Sequence, residues 1–124
     1  MLNTLDLLLK ADIKEFAVPT KEIKLKRLSE SLEDDVIFKV KALGLDKIKE
    51  LRETNSSDFN IHTIIEGVIE PSFKDKNLIE KFGAITPVDL IKKLLVPGEI
   101  DDIFYEISKL SGYNGSTIED IKKK

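Results

Sequence analysis

FGAITPVDLIKKLLVPGEIDDIFYEISKL, residues Phe82–Leu110, is the stretch that decides the fold of this chain. Thr86 is placed as a helix N-cap and Pro87 as the first helical residue, where a missing N–H costs nothing. Asp89 follows the cap by three residues, as in a capping box. Ile85 and Leu90 sit where a hydrophobic staple closes. Val88, Ile91, Leu94 and Leu95 form the stripe that this helix should bury. Pro97 drives Val96 out of helical geometry, and a second helix is expected within two or three residues. Its apolar positions, Ile100, Ile103, Phe104, Ile107 and Leu110, keep the spacing of one helix face. Gly112 stops it, and Tyr113 is placed to fold back on Ile107. Such a short connection makes the two helices neighbours.

Upstream, the helical period continues. Gly83 ends a helix of about two turns that carries Leu78, Ile79 and Phe82. Asp58 is placed to cap a helix with Ile61, Ile64, Ile65 and Val68 on one face, closed by Pro71. Leu45, Ile48 and Leu51 mark another short helix. Before Gly44 the period changes to two. Ile23 and Leu25 alternate with Lys24 and Lys26, and Val36, Phe38 and Val40 alternate with Lys39 and Lys41. With the polar run Glu30–Asp35 between them, these stretches predict a β-hairpin over 22–28 and 36–42. Residues 2–16 place Leu2, Leu5, Leu8, Leu9, Ile13 and Phe16 on a helical stripe, capped by Asn3 or Thr4 and stopped by Pro19. Ser116 and Glu119 form one more capping-box pair, predicting a short helix over 116–124 with Ile118 and Ile121. The expected fold is therefore α+β in a single domain, 1–124. An amphipathic segment (1–18) leads into the hairpin (21–43), a helical body (45–111) and the tail (116–124).

Composition narrows the function. The chain has 124 residues, 35% of them charged, and a net charge of −3. Acidic and basic residues are spread evenly over both halves, so there is no basic arm of the kind that grips nucleic acid. The absence of cysteine excludes disulfides, zinc fingers and thiol catalysis. No apolar run exceeds three residues, which excludes a helical membrane span. With no basic residue before Lys10, the N-terminus does not read as a secretory signal.

The candidate chemical groups are few. His62 is the only histidine. With no second imidazole and no thiol, it reads as a polar residue at the edge of an apolar stripe, not as a metal ligand. Glu33–Asp35 and Asp101–Asp102 lack the alternation and central glycine of a calcium loop. Asp101 and Asp102 fit a first helical turn, where the macrodipole favours negative charge. Gly112–Ser116 lacks the spacing and lysine of a phosphate loop. The helices at 87–95 and 98–111 can be read as a DNA-reading helix-turn-helix, a small nucleic-acid-binding regulator. That second helix, however, carries Glu99, Asp101, Asp102 and Glu106 against Lys109 alone, which repels phosphate. No catalytic, cofactor or metal residue is expected.

Two features remain as candidate partner-binding surfaces. Lys24, Lys26, Lys39 and Lys41 line the wet face of the predicted hairpin. They read either as a dock for an acidic partner or as charges that discourage strand addition. The N-terminal stripe, with Leu2, Leu5 and Leu9, reads either as ordinary core or as a segment that pairs with another chain.

The run Pro19–Leu28 (PTKEIKLKRL) and the block Glu66–Tyr113, most specifically KFGAITPVDLIKKLLVPGEI followed by ISKLSGY, resemble the XkdN-like phage tail assembly chaperones of Gram-positive hosts. The resemblance covers nearly the whole chain and is weakest over 29–60. It implies a protein that holds the tape-measure protein soluble and helps recruit tail-tube subunits in the host cytoplasm. It further implies no nucleotide and no catalysis, and it admits a homo-oligomer. Many tail operons extend this frame by a ribosomal frameshift. Adjacent lysine codons make an A-rich run, so a frameshift is expected, if present, at Lys122–Lys124. The nucleotide sequence tests this: no slippery heptamer there, and no overlapping frame, would count against it.

Overall fold

The structure is a computed structural model that describes residues 3–13, 16–54, 56–113, 115 and 117–121. Seven α-helices and three strands alternate along these residues. In chain order they are α1 (Thr4–Lys10), β1 (Thr20–Lys24), α2 (Lys26–Leu32), β2 (Ile37–Lys41) and α3 (Leu45–Thr54). Then come α4 (Phe59–Gly67), β3 (Val68–Glu70), α5 (Lys76–Lys81), α6 (Pro87–Leu94) and α7 (Pro97–Leu110). The class is α+β. The strands form one antiparallel sheet with β2 at its centre.

The sheet owes its inner face to the alternation read in the sequence. Ile23 lies opposite Phe38, and Val40 opposite Val68. Phe38, Val40 and Val68 are buried, and Phe73 meets Phe38 edge to face at 5.7 Å. The helices close over this face. α7 runs through the middle of the core with Ile103 and Ile107 buried. Leu90, Ile91 and Leu95 come from α6 and its C-cap, and Ile61 and Ile64 from α4. α4 packs closely on α7 at Gly67, where an added Cβ would stand 2.5 Å from Cδ1 of Ile107.

The stops and starts over 82–113 follow local physics. Thr86 accepts a hydrogen bond from the Asp89 N–H at 3.1 Å, as a cap should. Pro97 is itself the first residue of α7, and the Glu99 side chain accepts from the Val96 N–H at 2.9 Å. Two glycines with positive φ, Gly83 and Gly112, end α5 and α7. In α7 the Tyr113 N–H reaches the Ser108 carbonyl and the Gly112 N–H reaches Lys109, which satisfies the last orphan acceptors.

Several expectations are corrected. The predicted hairpin of 22–28 and 36–42 keeps its pairing but not its bounds, because β1 ends at Lys24 and α2 fills the connection. The Leu25 N–H still bonds the Val36 carbonyl at 3.0 Å, and the Leu25 carbonyl then accepts from Ser29 and starts the helix. The Ser29 hydroxyl accepts from the Val36 N–H at 2.8 Å, taking the place of a strand partner. Residues 68–70 leave the helix for β3, drawn by the open edge of β2. The expected staple does not close: Leu90 is buried, while Ile85 is 87% exposed. The Ile85 N–H is instead held by the Asp89 carboxylate at 3.0 Å, which turns the side chain outward. Asp58 occupies the N-cap of α4 without a side-chain cap bond. Its carboxylate faces Lys92 at 3.8 Å. Leu45 is exposed in α3. Residues 117–121 are not helical, and Ile118 and Ile121 are exposed. Ser116 and Lys122–Lys124 lie outside the described residues.

Candidate partner-binding surfaces

The N-terminal helix is well made at its start. The Asp6 N–H donates to Asn3 Oδ1 at 2.8 Å, and the Asn3 N–H donates back to the Asp6 carboxylate. This reciprocal pair nucleates a helix that would be marginal at seven residues. None of its residues is buried: Leu5 is 62% and Leu9 74% exposed. Leu7, Leu8, Ile13, Phe16 and Val18 are exposed as well. Of the two readings of this segment, ordinary core is therefore the one the fold does not use. Leu2 lies outside the described residues.

The four lysines do not make one basic face. Lys24, Lys39 and Lys41 lie on the sheet, whereas Lys26 opens α2. Lys24 is paired with Asp35 at 2.9 Å. Lys39 stands between Glu22 on β1 and Glu70 on β3 in the strand register. Opposite charges side by side across strands stabilise the sheet locally. What remains of the positive charge is spread over two elements.

Two carboxylates of α7 tie it to the N-terminal half. Arg27 reaches Glu99 through Nε at 3.1 Å and Nη2 at 2.8 Å, and Nη2 also donates to the Leu94 carbonyl at 2.8 Å. Burial pushes the Glu99 carboxyl up, but Arg27 and the Val96 N–H outweigh it and hold its pKa below the ordinary value. Glu106 is hydrogen-bonded by Lys21 and also faces Lys109 at 3.3 Å. Those cations outweigh its burial and lower its pKa too. α7 thus spends one face on the core and two acidic side chains on internal ion pairs.

Between α3, α4 and the C-terminal end of α7 lies an apolar pocket of about 270 Å³. Ile48, Ile107 and the edge-to-face pair Phe59–Phe104, 5.7 Å between centroids, form much of its wall. Arg52 lies over the Phe59 ring at 5.4 Å, and Tyr105 and Tyr113 stand at the lip. No motif in the sequence announces this pocket, because its walls come from residues 43–113 taken in four separate pieces. Its one legible signal is the clustering of aromatic residues late in the chain.

His62 is half-buried in α4. Among the described residues no group of three His, Asp or Glu side chains converges as a metal site requires. Nor is any helix there long and apolar enough to cross a membrane.

Comparison with known proteins bears on these surfaces. A family model described as the phage XkdN-like tail assembly chaperone protein matches residues 49–123, more than half of the sequence. The chain belongs to this family. The XkdN-like match spans the helical body from within α3 onward, including α4 and α7, which supply most of the pocket wall. The crystal structure of the protein YqbN is similar to the whole fold, with a TM-score of 0.64 and 26% identity over 84% of this chain and 98% of that one. A comparison with curated proteins returns no match.

Proposed function

We propose that this tail assembly chaperone works without ATP and binds the tape-measure protein, or tail-tube subunits, in the host cytoplasm before the tail polymerises. The observation that carries the reading is α1, a capped helix whose leucines are all solvated. A contiguous apolar surface of this kind is costly to leave in water and marks an interaction site. A tape measure is a long helical chain whose apolar stripes lack cover until the tube surrounds them. An amphipathic helix offers such a stripe the partner face it lacks. Release needs only that the tube bind more strongly, so no chemical step enters.

The test is co-expression with the tape-measure protein of the same tail operon. The wild-type chain should co-purify with it and keep it soluble. Leu5→Asp with Leu9→Asp should lower the captured fraction at least ten-fold and leave the melting temperature of the chaperone unchanged. Equal capture by the double variant would remove α1 from the interface. No capture by the wild type would overturn the reading.

A further inference from the structure

The pocket at the C-terminal end of α7 carries an inference beyond the arm. Its walls are largely apolar, and the hydroxyls of Ser111 and Thr63 are already used internally. Ser111 Oγ accepts from the Leu43 N–H at 2.9 Å and donates to the Ile107 carbonyl at 2.8 Å. Thr63 Oγ1 donates to the Phe59 carbonyl at 2.8 Å. A guest therefore meets mostly hydrocarbon and ring edges, with the hydroxyls of Ser108, Tyr105 and Tyr113 also among the lining groups.

The one permanent charge among the lining residues is Arg52. Its guanidinium lies over the Phe59 ring and forms no ion pair with any described carboxylate. A cation over a ring face is attracted by the ring quadrupole, and a guanidinium held there still carries N–H donors that suit a carboxylate. Arg52 thus brings a charge with no ion-pair partner to the wall of an apolar cavity.

We infer that this pocket receives a leucine-type side chain from a helical segment of a partner protein, with a glutamate or aspartate one turn away pairing with Arg52. The inference deepens the chaperone reading and rests on it for the nature of the partner. Charge complementarity selects the occupant: the aliphatic group fills the cavity, and the carboxylate supplies the ion pair that Arg52 lacks. A bidentate Arg–carboxylate pair adds geometric selection that a lysine at this position would not give.

The chain supplies its own reporter. It has two tyrosines and no tryptophan, and Tyr105 and Tyr113 both line this pocket. Tyrosine emission of the full-length protein is therefore a signal from this one site. Two synthetic amphipathic helical peptides without aromatic residues serve as probes. Both carry the same leucine stripe, flanked in one by glutamates and in the other by lysines. Titration should give a saturable emission change and at least ten-fold tighter binding of the glutamate peptide. Arg52→Glu should abolish or reverse that preference with an unchanged melting temperature, Arg52→Lys should weaken it, and Leu5→Asp with Leu9→Asp should leave it intact.

Equal affinity for both peptides, no binding of either, or full preference retained in Arg52→Glu would overturn the inference. Loss of binding only in the α1 variant would place the site on the arm and also overturn it. The two proposals fail separately. Capture of the tape-measure protein without peptide preference leaves the chaperone reading and removes the pocket. Peptide preference without capture does the reverse.

Discussion

Gly67→Ala is the sharpest test of how α4 and α7 meet. The new methyl group would stand 2.5 Å from Cδ1 of Ile107 and 3.0 Å from both its Cγ atoms. Carbon atoms pack at about 3.5–4.0 Å. Rotation of χ2 moves Cδ1 away but leaves both Cγ atoms in place, and Ile107 is 1% exposed. Overpacking of this kind costs about 1–3 kcal/mol. Alanine recovers at most about 1 kcal/mol of helix propensity, less here because Gly67 is the last residue of α4. The expected net loss is about 1–2 kcal/mol, a fall in melting temperature on the order of 3–8 °C. Urea and thermal unfolding followed by far-UV circular dichroism measure it. Ile107→Val deletes Cδ1 and alone should cost about 0.5–1.5 kcal/mol. Combined with Gly67→Ala it should cost less than the sum, since one change relieves the clash made by the other. A Gly67→Ala protein as stable as the parent, or strictly additive costs in the double variant, would refute the close approach.

Three further outcomes follow from other contacts. Glu99 and Glu106 have pKa values lowered in the fold, so their contribution is complete above the unfolded value near 4.5 and is lost as pH falls through their folded values. Stability should drop below about pH 4.5, and Glu99→Gln with Glu106→Gln should flatten that part of a pH titration of urea midpoints. Thr86→Ala removes the cap of α6 and should cost about 1 kcal/mol, whereas Ile85→Ser, at a solvated side chain, should shift the urea midpoint by less than about 0.5 kcal/mol equivalent. Phe73→Ala empties a fully buried site against Phe38 and should cost about 3–5 kcal/mol, read from the same midpoints.

How far the sequence spoke for the fold differs by element. α6 and α7 were legible because Pro87 and Pro97 open them, Gly83 closes the helix before them and Gly112 closes α7. The strand β2 was legible because Phe38 and Val40 alternate with lysines. α2 was hidden by Leu25, which serves as the last paired residue of β1 and also precedes a helix. The spacing Leu25, Leu28, Leu32 is helical and was the signal to weigh against the alternation of 23–26. β3 is three residues long, too short for any period to show, and exists because β2 has an edge to fill. The apolar stripe of α1 was legible as a stripe, but periodicity cannot say whether a stripe turns inward or waits for another chain. The pocket was invisible because its walls meet only after folding, and the acids beside Lys24 and Lys39 were invisible because strand register and the turn at Asp35 bring them there.

The central position of β2 has a consequence for anyone trimming this protein. The stretch recognised by the family model begins at residue 49, after β1, α2 and β2. A fragment cut there would keep Val68 and Phe73 but lose Val40 and Phe38, the surfaces they rest on. It would also strip Glu99 and Glu106 of Arg27 and Lys21. The portion most readily matched by its letters is thus not a severable unit, and the ribosome must deliver residues from both ends before either can settle.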